Sequence, residues 1–185
     1  GGPRFEGRLT GESVRVLAQS QLSVTASPEL DLLLTPERVA ITGAVAIPGA
    51  FAEFRRLPEG DGVTLSNDVV FHGEGTGTAT TARNLILDVA VTLGDDVRLE
   101  AGPLEARLGG ALDVARREQE GLRVRGRIRT LEGGMKGYGQ TLRIRRGELA
   151  FDGPADNPGV ELVAVREVEG TEVGLRVTGT LQDLR

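Results

Sequence analysis

The sequence predicts an all-β chain, an antiparallel meander of half-buried strands, and three observations carry that expectation. Apolar residues recur with a period of two along most of the length. Gly, Pro and β-branched residues interrupt every window of helical length, leaving only Ala50 to Leu57 as one or two possible helical turns. Turn chemistry falls between the alternating runs.

Taken in chain order, Val39, Ile41, Val45 and Ile47 alternate with small or polar neighbours, and Leu85, Leu87, Val89, Val91 and Leu93 do the same around Asp88, Ala90 and Thr92. The pattern returns in Leu104-Ala106-Leu108, in Leu112 and Val114, in Leu122, Val124 and Ile128, in Leu142 and Ile144, and in Leu149 and Phe151. It closes with Val160-Leu162-Ala164 and with Val173, Leu175, Val177 and Leu181. The predicted turns are Ser27-Pro28, Thr35-Pro36-Glu37, Pro48-Gly49, Pro58 to Gly62, Gly94-Asp95-Asp96, Gly102-Pro103, Gly133-Gly134 and Gly153-Pro154. Residues His72 to Thr81, with Gly73, Gly75 and Gly77, read as a flexible loop joining strands that end near Phe71 and start near Leu85.

The chain has 185 residues, a size that fits one domain spanning 1–185. Only 3% of residues are aromatic against 39% hydrophobic, so the interior must be filled by Val, Leu, Ile and Ala, and thinly. A formal charge of -5 and a pI near 5.1 argue against nucleic acid, whose phosphates demand a basic footprint. Lys136 is the sole Lys, and there is no Cys, which removes disulfides and thiolate chemistry together. No apolar run reaches the roughly 18 residues that a spanning helix needs.

Four strands share a glycine in the apolar phase: Gly43, Gly110, Gly126 and Gly179. Each glycine marks either a bulge or a point where the strand bends toward its apolar side, and several such glycines in neighbouring strands would curl the sheet. The opposite face is polar. Arg123, Arg125, Arg127 and Arg129 project away from Leu122, Val124 and Ile128 and read as a solvated face, with Glu118, Glu120 and Glu132 nearby.

Catalytic constellations are absent from the pattern, so a non-enzymatic role without cofactor is expected. His72 is the only imidazole and lies in the expected loop. Asp95-Asp96 occupies a turn-like sequence and at most invites adventitious Ca²⁺. Gly73-x-Gly75-x-Gly77 runs into a strand pattern rather than the helix N-terminus that a phosphate loop needs.

The run from Tyr138-Gly139-Gln140 through Arg146-Gly147, Leu149-Ala150-Phe151 and Gly153-Pro154, followed by Asn157-Pro158, resembles the signature near the C-terminus of the TamB family. Asp96 to Ala101, Leu104 to Gly110 and Val39 to Pro48 are similar to the family as well, so the resemblance covers most of the chain. It implies a periplasmic piece of a longer, inner-membrane-anchored protein of outer-membrane biogenesis. It also implies a curved, half-open, taco-like antiparallel sheet with a hydrophobic concave face, and an outer-membrane barrel partner, TamA. The chain ends shortly after Leu181, so the family segment that would meet the barrel is expected to lie outside it.

With that resemblance, the inward residues become a candidate hydrophobic groove for phospholipid acyl chains: Val45, Ile47, Leu87, Val89, Val91, Leu108, Leu112, Val124, Ile128, Ile144, Phe151, Leu175 and Val177. A chaperone-like module whose sheet edges pair with unfolded outer-membrane protein strands is the alternative, and a passive spacer between membranes is a third. The same residues equally suit a closed β-sandwich core, which periodicity alone does not separate from a groove.

Overall fold

A computed structural model of the chain describes residues 3–18, 21–54, 84–117, 120–137 and 139–184. The described residues form a single open, curved, all-β sheet of eleven strands that does not close into a barrel. These are β1 (Phe5–Thr10), β2 (Val14–Ala18), β3 (Leu22–Leu34), β4 (Val39–Phe54), β5 (Leu85–Ala101), β6 (Leu104–Arg116), β7 (Arg123–Gly137), β8 (Gln140–Pro154), β9 (Gly159–Val168), β10 (Thr171–Thr180) and β11 (Asp183–Leu184). Spatial order follows chain order from β3 to β11. β1 and β2 lie end to end along the free side of β3, pairing with its C-terminal and N-terminal halves respectively.

Every pairing is antiparallel except β4 with β5, which runs parallel from Val39↔Leu85 to Phe54↔Ala101. A parallel neighbour requires a crossover of a dozen or more residues, and residues 55–84 supply that length. The expected loop at His72 to Thr81, the expected strand end near Phe71 and the turn at Pro58 to Gly62 fall outside the described residues. The helical turn considered from Ala50 is not formed, because β4 continues as strand to Phe54. Gly102-Pro103 does form the expected tight turn between Ala101 and Leu104. Gly102 has φ +57, and the following Pro is held at negative φ, as a type II′ hairpin requires. Glu169-Gly170 turns β9 into β10 with both φ positive, 51° and 79°, the type I′ form.

Four other expected turns are strand interior. Ser27-Pro28 lies within β3, Pro48-Gly49 within β4, Gly94-Asp95-Asp96 within β5 and Gly133-Gly134 within β7, and Gly153-Pro154 forms the end of β8. Strands β4 and β5 therefore reach 16 and 17 residues, roughly 50 Å at about 3.3 Å per residue. The turn-like residues are where pairing slips. Register shifts occur at Thr25/Ser27, Ile47/Gly49, Leu93/Val97 and Arg107/Leu108, and again at Ile144/Arg146. These positions neighbour one another from strand to strand, so the shifts form one transverse line from β3 to β9. Bulges bend and twist the strand that carries them. A row of them bends all the long strands at the same level.

The four glycines sit beside that line. Gly43, Gly110, Gly126 and Gly179 have φ between +126° and +144°, a region closed to side chains. A Cβ on any of them would stand 2.1 to 2.3 Å from a carbonyl oxygen of the adjacent strand. They occupy three successive cross-strand rows, with Gly110 and Gly179 both in the row Ile47, Leu93, Gly110, Ile128, Leu149, Val160, Gly179. Sheet curvature here rests on glycines that permit close approach and on bulges that turn the strands.

Candidate functional site: one apolar face

Cross-strand partners share a face of a sheet, so register decides which side each residue takes. Val45, Val91, Leu112, Gly126 and Phe151 form one continuous row. Val89 lies between Gly43 and Val114, and Val114 in turn faces Val124. Ile47 and Ile128 belong to the row just described, and Leu87 precedes Val89 by two. Across the bulge line Leu108 faces Val97, Ile144 faces Ala164, and Ala164 faces Leu175; Val177 pairs with Leu162. All thirteen residues singled out from the sequence therefore lie on one face. The closed-sandwich reading fails among the described residues, because they contribute a single sheet.

Exposure along this face is graded. Val89, Val97, Ala106, Val124, Ile144 and Ala164 are buried, while Val45, Ile47, Val91, Leu112, Phe151, Leu175 and Val177 are half-buried. The first strands leave more open: Phe5 and Leu9 are 62% and 48% exposed and stand in register with Leu34 and Leu30. No large side chain among the described residues is fully buried. Burial of a Val or Leu is worth about 1.5–3 kcal/mol only when it is complete. Much of that gain is unrealised here.

The opposite face is a lattice of ion pairs. Arg129 Nε donates to Glu148 at 3.0 Å, and Arg127 stands 3.5 Å from the same carboxylate. Arg146 and Arg176 share Glu161 at 3.0 and 3.3 Å, and Arg107 meets its register partner Glu132 at 3.0 Å. The hydrogen bond from Arg129 holds the Glu148 carboxyl below its ordinary value; partial desolvation opposes the shift, and the charges of Arg127, Arg129 and Arg146 reinforce it. The arginine row is thus a solvated, glutamate-neutralised surface, each exposed pair contributing about 0–1 kcal/mol. Asp96, once a candidate cation ligand, pairs with Arg98 at 2.8 Å.

Arg116 departs from this division. It closes β6, pairs with Leu87 and shares the phase of Leu112 and Val114, which places it on the apolar face. Its Nε is buried without a hydrogen-bond partner. A buried donor left unpaired costs about 1–3 kcal/mol. The sequence carries the signal, since Arg116 continues the two-residue alternation of β6, but a charge at the end of an apolar run reads as the start of a turn. Leu30, Leu32, Leu93, Leu99 and Leu149 also join the face, though none of them was singled out as a site residue.

A single bent sheet with one aliphatic and one ion-paired side places the described residues among open, one-layer β scaffolds. Sequence comparison carries this further: the TamB C-terminal domain family matches residues 1–185, and the chain belongs to the TamB family. It is 27% identical over 176 residues to the translocation and assembly module subunit TamB of Haemophilus influenzae, an alignment covering 86% of this chain and 14% of that protein. The chain thus spans about one seventh of the length of that relative.

Proposed function

We propose that the chain is part of a non-enzymatic bridge in outer-membrane biogenesis, lying in the periplasm within a longer inner-membrane-anchored protein, and that its apolar face conducts phospholipid acyl chains. The observation that carries this reading is the single layer: a continuous aliphatic face with no second sheet over it among the described residues. Each methylene sheltered on such a face is worth about 0.8 kcal/mol, so a long acyl chain would gain on the order of 10 kcal/mol. Small aliphatic side chains suit sliding, because they offer area without deep pockets. Family membership supports a place in a translocation and assembly module, with a TamA-like barrel as the outer-membrane partner of the whole protein.

A photo-crosslinker at Val91 or Leu112, half-buried register partners, tests the reading in cells. These positions are preferable to the buried Val89 and Val124, where a bulky probe would disturb packing. Lipid adducts identified by mass spectrometry are expected; peptide adducts alone would sink the lipid reading. The second reading, capture of unfolded outer-membrane protein strands, is favoured by one feature. Along β10, only Gly179 and Thr180 pair with β11, leaving Thr171 to Thr178 with a free outer edge among the described residues.

A further inference from the structure

We propose that Arg116 binds the phosphate of a phospholipid whose acyl chains lie on the apolar face, so that this end of the sheet prefers phosphate-bearing lipids to neutral ones. The inference rests on the lipid reading above and gives it a headgroup.

Four observations support it. The other residues of β6 on this face, from Leu104 to Val114, are all uncharged, so Arg116 is a cation at the end of an apolar strip. Arg107, Arg127, Arg129, Arg146 and Arg176 on the polar face are each tied to a glutamate, whereas Arg116, like Arg125, Arg143 and Arg166, makes no ion pair among the described residues, and of these only Arg116 has an Nε buried without an acceptor. The nearby carboxylates Asp88 and Asp113 belong to the opposite face, because Asp88 pairs with Ala115 and Ala90 with Asp113. Finally, the Nε–H and Nη–H groups of a guanidinium form a planar fork that matches two oxygens of a phosphate. The apolar neighbours Leu87, Val89 and Val114 would hold the first methylenes beyond it. The charge and the aliphatic strip together fit an amphiphile with an anionic head; the strip alone would not discriminate.

The test is a titration of the chain with phosphatidic acid and with diacylglycerol carrying the same acyl chains, read from an environment-sensitive label on the chain end. Wild type is expected to bind phosphatidic acid about 10- to 100-fold more tightly, the range of a hydrogen-bonded charge. Arg116→Met should reduce phosphatidic acid to the diacylglycerol level without moving diacylglycerol, and Arg116→Lys should keep part of the preference. A thermal melt checks that both variants fold. Equal wild-type affinity for the two lipids overturns the role of Arg116 while leaving the groove intact, and needs no variant. Failure of both lipids to bind removes the groove reading itself. Inorganic phosphate binding as tightly as phosphatidic acid would overturn a lipid occupant.

Discussion

Replacing Gly110 by Ala isolates the device that lets the sheet curve. In the native backbone Gly110 has φ +144, and an added Cβ would lie 2.1 Å from the Arg127 carbonyl oxygen and 3.1 Å from the Ile128 Cα. Both obstacles are backbone of the neighbouring strand, so no rotamer change relieves them. Either the alanine keeps an unfavourable φ, at about 1–3 kcal/mol, or β6 and β7 separate locally and lose one or two ladder hydrogen bonds at about 0.5–1.5 kcal/mol each. With both contributing, the loss is about 1.5–6 kcal/mol, a large part of a total stability that is typically about 5–15 kcal/mol. For a domain of this size that lowers Tm by about 3–24 °C. Gly121→Ala is the matched control, since nothing lies within 4 Å of its added Cβ. Circular dichroism melts of both variants in parallel make the comparison. A Gly110→Ala protein melting within 2 °C of Gly121→Ala would refute the claim that this approach is sterically closed.

Deleting Leu131 removes the extra residue that separates Leu108↔Thr130 from Arg107↔Glu132. The deletion leaves Glu132 opposite Arg107 in one continuous β6–β7 register but puts Glu132 to Gly137 one residue out of step with β8, where Arg129↔Glu148 and Gly134↔Arg143 share a register. Its Tm should therefore fall well below that of Leu131→Ala, which at a half-exposed position should cost under about 1 kcal/mol. The depressed pKa of Glu148 sets an acid limit. A carboxyl held below its unfolded value stabilises the fold above that value, and the contribution is lost as pH falls through the folded pKa. Wild type should therefore lose more Tm than Glu148→Gln when acidified below the ordinary glutamate value of about 4.3, a difference that equal acid sensitivity of the two proteins would contradict.

Alternation in the sequence was sufficient to put thirteen residues on one face, because each lies in an unbroken stretch of period two or keeps its phase across a bulge. The glycines were legible for the same reason: Gly43, Gly110, Gly126 and Gly179 occupy apolar-phase positions where a side chain would be expected. Strand length was not. Pro48-Gly49, Gly94-Asp95-Asp96 and Gly133-Gly134 have the composition of turns, and local chemistry cannot tell a chain reversal from a bulge that lets the strand continue. Long-range pairing decides that, as it decides the parallel register of β4 and β5. Arg116 sat in phase with Val114, but whether its Nε finds an acceptor is a property of the assembled sheet.

The bulge line divides each long strand into two segments, so the apolar face has two parts. Val45, Ile47, Leu87, Val89, Val91, Leu112, Val124, Ile128, Phe151 and Val177 lie on one side of it, and Leu108, Ile144 and Leu175 on the other. A guest on the larger part contacts side chains, whereas a strand added at β10 uses main-chain groups of Thr171 to Thr178. The two modes therefore separate under one substitution. Val91→Asp puts a carboxylate in the middle of the row Val45, Val91, Leu112, Gly126, Phe151, and should cut lipid crosslinking from Leu112 by at least tenfold, since a charge cannot share that surface with methylenes without water. Peptide capture at the β10 edge, five strands away, should be unchanged, provided the melt shows the sheet intact. Undiminished lipid adducts in Val91→Asp would mean that acyl chains do not run along this row, and loss of peptide capture alone would assign the main activity to the edge.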